Sequence, residues 1–309
     1  MDSKKTIQFT NLKFDHFMSK RLFFLLLCGG MMMHLSAQRI EVSTPRLVSE
    51  AGTEVFYPKF TPDGRTILLT SESYNGLKAF NLETGQVRQL SSAVSAGWNP
   101  VISADSRTVY FQAADFSGRG SSFHAVNMET GQTRRLESFD NLSVQTPQNT
   151  LRARSTAQTP TVVFVNEDLQ IVVERNGQQS IIAPHGNDVI YINASLSPDG
   201  TRIAFVSFLT NEAHISDLEG NIIANLGTVQ APVWLTNDWV VGMNEVNDGH
   251  VITGSHIVAV TTDGRVRQNL TQRGGDLIAM FPAASPDGRR IAFNTLEGNL
   301  YIMEISIHN

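Results

Sequence analysis

The sequence predicts an all-β fold: a six-bladed β-propeller closed by an N-terminal strand that completes the last blade. Three observations predict it. One turn motif recurs along the chain, a second series of turn glycines repeats at the same period, and the final unit is one strand short. The motif reads Phe60-Thr61-Pro62-Asp63-Gly64, Leu196-Ser197-Pro198-Asp199-Gly200 and Ala284-Ser285-Pro286-Asp287-Gly288, each followed by an apolar run such as Ile203-Ala204-Phe205. A degenerate copy, Ile102-Ser103-Ala104-Asp105-Ser106, has lost the glycine. The aspartates stand at 63, 105, 199 and 287, with gaps of 42, 94 and 88. Halving the two long gaps places weaker copies near Gln148 to Phe164 and at Pro232 to Met243, which makes six units.

The second series ends on Gly85, Gly131, Gly177, Gly220 and Gly264, spaced by 46, 46, 43 and 44 residues. Apolar residues alternate around each glycine, as Ile171 and Val173 do before Gly177, which is the period of paired strands joined by a short turn. Several short strands per 40 to 47 residues are the signature of propeller blades, each a four-stranded sheet about one axis. Pro fixes φ in the first turn of a blade, Asp bonds nearby backbone and Gly accepts a positive φ. This turn chemistry accounts for Asp63, Asp105, Asp199 and Asp287 without a ring of functional carboxylates. The last unit ends at Asn309 with no hairpin glycine, while Arg39 to Val48 has strand-like residues and no blade of its own. Open sheet edges are a liability, so this segment is predicted to supply the missing outer strand.

The residues ahead of the propeller read as an address. Lys20 and Arg21 precede an apolar run from Leu22 that ends in Leu35-Ser36-Ala37, the pattern of a signal peptide cleaved after Ala37. Met18-Ser19-Lys20-Arg21 would itself open such a signal, so Met18 is a candidate start. The uncharged stretch is short for a membrane span, and no transmembrane segment is expected after cleavage. Leu27 precedes Cys28 where a lipoprotein signal wants a small residue, which favours soluble export to the periplasm. The expected domains are residues 1–37, the signal, and 38–309, one propeller. Cleavage removes the one cysteine and shifts the formal charge from -5 to -8. The mature chain then has no thiol chemistry, and with no basic surplus it is not expected to bind nucleic acid.

The repeated Ser-Pro-Asp-Gly-x-x-Ile-Ala-Phe unit behind a signal peptide resembles the Pro-Asp repeat of the TolB-type six-bladed propellers, over about residues 39–307. TolB carries an α/β domain ahead of its propeller, whereas here only about ten residues separate the signal from the first blade. The resemblance therefore implies only the propeller half of that role: docking an envelope protein, such as a peptidoglycan-associated lipoprotein, at the channel mouth. Peptidase accessory domains and pectate-degrading lyases carry similar repeats.

No catalytic residues are assigned from the sequence. There is no Gly-x-Ser-x-Gly elbow, since Gly118-Arg119-Gly120-Ser121 fits a connecting loop, and no His-x-x-x-His pair. No metal or cofactor is expected. Binding is left to the loops between second and third strands, where Tyr74, Phe116, Arg119, Asn211 and His250 are the candidate partner contacts. The Ser-, Thr- and Gln-rich stretch Phe139 to Thr159 is expected to form a long loop near one mouth. The sequence reading is thus an exported, monomeric, non-catalytic interaction scaffold that docks an envelope protein or lipoprotein. The alternative is a polysaccharide lyase or glycan binder with its site in the channel, and a third option is a purely structural subunit.

Overall fold

The computed structural model describes residues 38–50, 53–114, 120–136, 161–166 and 168–308, which fall in one body, Gln38–His308. The signal segment, the 139–159 stretch, Phe116 and Arg119 lie outside the described residues. Two short strands come first, β1 (Arg39–Val42) and β2 (Arg46–Leu47). The first blade is β3 (Phe56–Phe60), β4 (Thr66–Thr70), β5 (Leu77–Asn81) and β6 (Val87–Ser91). The second is β7 (Val101–Ile102), β8 (Thr108–Ala114), β9 (Ser121–Asn127) and β10 (Thr133–Leu136). The third shows β11 (Val162–Val165), β12 (Ile171–Arg175) and β13 (Gln178–Ile182) among the described residues. The fourth is β14 (Tyr191–Leu196), β15 (Arg202–Ser207), β16 (Glu212–Asp217) and β17 (Ile222–Gly227). The fifth is β18 (Gln230–Trp234), β19 (Trp239–Asn247), β20 (Ile252–Thr261) and β21 (Arg267–Asn269). The sixth holds β22 (Ala279–Ala284), β23 (Arg290–Thr295) and β24 (Leu300–His308).

The closure has the predicted form. β1 pairs antiparallel with β24, Arg39 opposite His308 and Val42 opposite Ile305, and β2 pairs with the same strand at Ile302 and Tyr301. Gln268 of the fifth blade clamps the closing strand from its other side. It accepts from the Ile40 amide at 3.0 Å and donates to the Ile40 carbonyl.

The recurrent turn is a hydrogen-bonded unit. In each copy the Asp carboxylate accepts from the Ser or Thr hydroxyl two residues earlier and from the amide two residues later, as Asp63 does with Thr61 at 2.6 Å and Arg65 at 3.0 Å. The Ser103 hydroxyl, then the Arg107 amide, holds the Asp105 carboxyl below the usual range. Where the glycine has been lost, Ser106 itself takes a positive φ of 61°. At the second series of turns, Asn176 and Gly177 both have positive φ, 53° and 74°, the two-residue hairpin that their sequence predicts. The core lies between successive blades. One cluster joins Leu68 and Leu77 to Ile102 and Phe111, and another packs Trp239, Val241 and Ile257 against Ile40, Phe293 and Met303.

Candidate functional site

The inner strands carry a feature the turn motif does not announce. Tyr57, Asn99, Asn193, Ala231 and Phe281 occupy equivalent positions in five blades, and all five have positive φ, between 46° and 55°. Where pairing can be read, the register slips at this point, for example between Phe56 and Lys59 and between Met280 and Ala283. These are β-bulges, which insert a residue and re-aim side chains. In four of the five the next residue is proline: Pro58, Pro100, Pro232 and Pro282. An innermost strand has no neighbour toward the axis, so a residue without an N–H costs little there. The bulged amides find side chains instead. Tyr57 donates to Asn294 Oδ1 at 3.0 Å and Phe281 donates to Met243 Sδ at 3.3 Å.

The five bulges enclose an axial cavity of about 300 Å³. Its described lining is mostly apolar or backbone, with Lys59 its one charged side chain. The Lys59 ammonium donates to the Pro100 carbonyl at 2.8 Å, tying the first blade to the second. Burial pulls its pKa down from 10.5 to about 8.

Aromatic rings gather at one mouth. Tyr57 stacks on Tyr74 with centroids 4.2 Å apart, Phe281 lies 4.5 Å from Tyr57, and Trp98 meets Tyr74 edge-on at 4.8 Å. Tyr57 and Phe281 come from adjacent inner strands, Tyr74 from the β4–β5 loop and Trp98 from the connection into the second blade. Burial and the Tyr74 hydroxyl push the Tyr57 phenol well above its ordinary pKa. Gly97 fixes the row, since its amide donates to the Tyr74 carbonyl at 2.8 Å. The indole of Trp98 is 59% exposed, so the row ends in an open apolar surface.

Of the sequence candidates, Tyr74 alone lines this cavity among the described residues. Asn211 closes the β15–β16 turn with φ 55°, its amide donating to the Ser207 carbonyl at 2.9 Å. His250 lies at the exposed tip of the β19–β20 hairpin, where its amide donates to Asp248 Oδ1 at 2.9 Å. Sequence reasoning missed Tyr57, Lys59, Trp98 and Phe281. The available signal was a proline five residues ahead of the turn aspartate, as in Pro58 and Asp63, Pro100 and Asp105, or Pro282 and Asp287. Among the described residues no three His, Cys, Asp or Glu side chains gather as a metal site, and no helix is long and apolar enough to cross a membrane.

No protein-family model matches the sequence, and no curated protein matches it. Solved structures do. A protein described as a TolB from Agrobacterium tumefaciens is 16% identical, with a TM-score of 0.54 over 88% of this chain and 99% of that one. TolB from Acinetobacter baumannii is 19% identical, with a TM-score of 0.48 over 75% of this chain and 57% of that one. Oligogalacturonate lyase from Vibrio parahaemolyticus is 12% identical, with a TM-score of 0.45 over 81% and 77%. At such identities the likeness speaks to the fold: this chain has the six-bladed β-propeller fold of the TolB type.

Proposed function

We propose that this protein is an exported, non-catalytic propeller that docks a protein segment of the cell envelope at its channel mouth. The aromatic row Phe281–Tyr57–Tyr74–Trp98, set over a largely apolar axial cavity, carries this reading. Rigid rings held by packing lose little conformational freedom on binding, and such residues anchor protein interfaces. The cavity has the size to receive one or two side chains of an extended segment. Acid–base catalysis would need titratable groups converging on a reacting atom, whereas in the described lining the Lys59 amine is bonded to the Pro100 carbonyl and the Tyr57 phenol, raised in pKa, is bonded to Tyr74.

The test is an affinity capture of the tagged protein from detergent-solubilised envelopes, run beside a Tyr74→Ala/Trp98→Ala variant of equal thermal stability. Loss of one retained protein in the variant supports docking at this mouth. An identical set of retained proteins refutes it. Retention of an oligosaccharide in place of a protein moves the assignment to a glycan-binding propeller.

A further inference from the structure

The two faces of the propeller differ in kind. In an antiparallel blade the turns between strands one and two and between three and four lie on one face. The loops between strands two and three, and the connections to the next blade, lie on the other. Backbone bonds lace the second face together: Tyr191 N to Leu169 O at 2.9 Å, Phe208 N to Ile190 O at 2.9 Å and Leu296 N to Ile278 O at 3.2 Å.

Exposed apolar side chains are concentrated on that loop face. Leu169, Ile190, Phe208 and Leu209 form a run along those bonds, with Phe208 and Leu209 64% and 68% exposed. Val94 and Trp98 continue it near the aromatic row, Val246 and Val251 crown the β19–β20 hairpin, and Leu296 projects from the β23–β24 loop. No described turn of the opposite face carries an exposed large apolar residue.

The mixture of charge differs between the faces too. On the loop face Glu72, Asp168, Asp188, Asp248, Asp276 and Glu297 are all exposed, with Glu50 and Glu54 in the β2–β3 connection, against the single Arg273 in the described loops. Several stand within three residues of an apolar anchor: Glu72 by Tyr74, Asp188 by Ile190, Asp248 by Val251, Glu297 by Leu296. On the turn face four arginines, Arg65, Arg107, Arg265 and Arg289, are interspersed with acids: Asp63, Asp105, Asp263 and Asp287 are bonded to hydroxyls of their own turns, while Glu83, Glu129, Glu219 and Asp238 are exposed, so that face is mixed in sign where the described loops are almost wholly acidic.

Resting on the docking reading above, we propose that the loop face is the docking face and that its partner is a cationic segment. That segment carries several Lys or Arg residues and at least one aromatic or aliphatic side chain to enter the channel mouth. Carboxylates placed around apolar anchors steer and select a basic partner, while the anchors and the cavity supply the buried contact. An acidic segment meets repulsion at the loops that carry Glu72, Asp168, Asp188, Asp248 and Glu297.

The experiment pans a phage-displayed random dodecapeptide library on the protein, then titrates the enriched peptide onto three forms. These are the wild type, a Glu72→Lys/Asp188→Lys/Glu297→Lys variant and a Trp98→Ala variant, with folding checked by circular dichroism. The expected result is enrichment of Lys and Arg beside aromatic or aliphatic residues. Binding should weaken at least about tenfold on charge reversal and also weaken as salt is raised toward 0.5 M. Enriched peptides that are neutral or acidic overturn the charge assignment, as does binding that survives charge reversal yet is lost in Trp98→Ala; both leave docking at the mouth standing. Binding untouched by Trp98→Ala overturns the mouth reading itself. Failure to enrich any peptide above a heat-denatured control overturns both.

Discussion

The closing strand is the most exacting test of the fold. Ile40 is 1% exposed and packs among Trp239, Val241, Met303 and Ile305, so one side chain joins the N-terminal strand to the fifth and sixth blades. Replacing a fully buried Ile by Ala costs about 2–5 kcal/mol, and about 3 kcal/mol is expected here because the surrounding sheets are too constrained to collapse on the cavity. An unfolding entropy of about 2 cal/mol/K per residue over the propeller makes that a fall of roughly 5 °C in Tm. The assay is thermal unfolding by circular dichroism, with Ile222→Ala as control. Ile222 starts an outer strand and is 41% exposed, so its loss should stay within about 0.5 kcal/mol. Ile40→Ala melting with the wild type, or with the control, would refute an integrated closing strand. Deleting residues 38–48 is a stronger form of the same test. It strips the outer partners from β24 and leaves a nine-residue strand as an open edge, so folding itself should be lost.

Three further perturbations probe the site and its surroundings. In Gly97→Ala the new Cβ would stand 1.9 Å from Thr70 Oγ1, whose hydroxyl donates to the Gly76 carbonyl at 2.8 Å. The loop holding Tyr74 must shift, at about 1–3 kcal/mol, and the Trp98 emission spectrum should change with it; an unaltered spectrum counts against the contact. The Lys59 amine titrates near 8 rather than 10.5 because it is buried, so its desolvation cost is present in full below pH 8 and fades toward 10.5. Wild type should therefore gain stability relative to Lys59→Met between pH 8 and 10.5 in urea titrations; a constant difference would contradict this. His214 is held below its usual pKa by burial first and then by His185, whose ring is 4.5 Å away. A lowered histidine pKa favours the neutral form, so this stability is present above pH 6.5 and is lost as pH falls below it. The Tm difference between pH 7.5 and pH 5.5 should shrink in His214→Phe, and an unchanged difference would be inconsistent with a neutral buried His214.

The blades were legible because their signal is local chemistry. A Ser or Thr, an Asp and a residue at positive φ make a turn through their own hydrogen bonds, so Thr61 to Arg65 or Ser285 to Arg289 announces itself in any chain. The closure was legible by subtraction, since one strand was missing at the C-terminus and one was spare at the N-terminus. The cavity was not legible, because strand alternation stops working at a bulge. An inserted residue at Tyr57 or Phe281 reverses the inward and outward parity, and counting by twos from the turn then gives the wrong face. At Asn211 the structure adds a backbone role that its place among the binding candidates did not state: its tolerance of left-handed backbone closes the β15–β16 turn.

The division between the faces follows from the same chemistry. Every residue of a Ser-Pro-Asp-Gly turn is engaged in making the turn, so altering it to meet a partner would cost the blade its first hairpin. The loop face carries no such constraint. Among the fully described connections the length runs from two residues between β17 and β18 to nine between β6 and β7 and between β21 and β22, with no shared sequence pattern. Length, charge and apolar content can vary there without disturbing the sheets, because the blades are held by burial between strands and not by loop conformation. Tyr57 and Phe281 link that variable face to the rigid core. They belong to inner strands, yet the bulges turn their rings into the mouth beside Tyr74. A partner segment seated on the loops would therefore meet two rings whose positions are set by the sheets, which is the pre-organisation that tight binding to an adaptable surface requires.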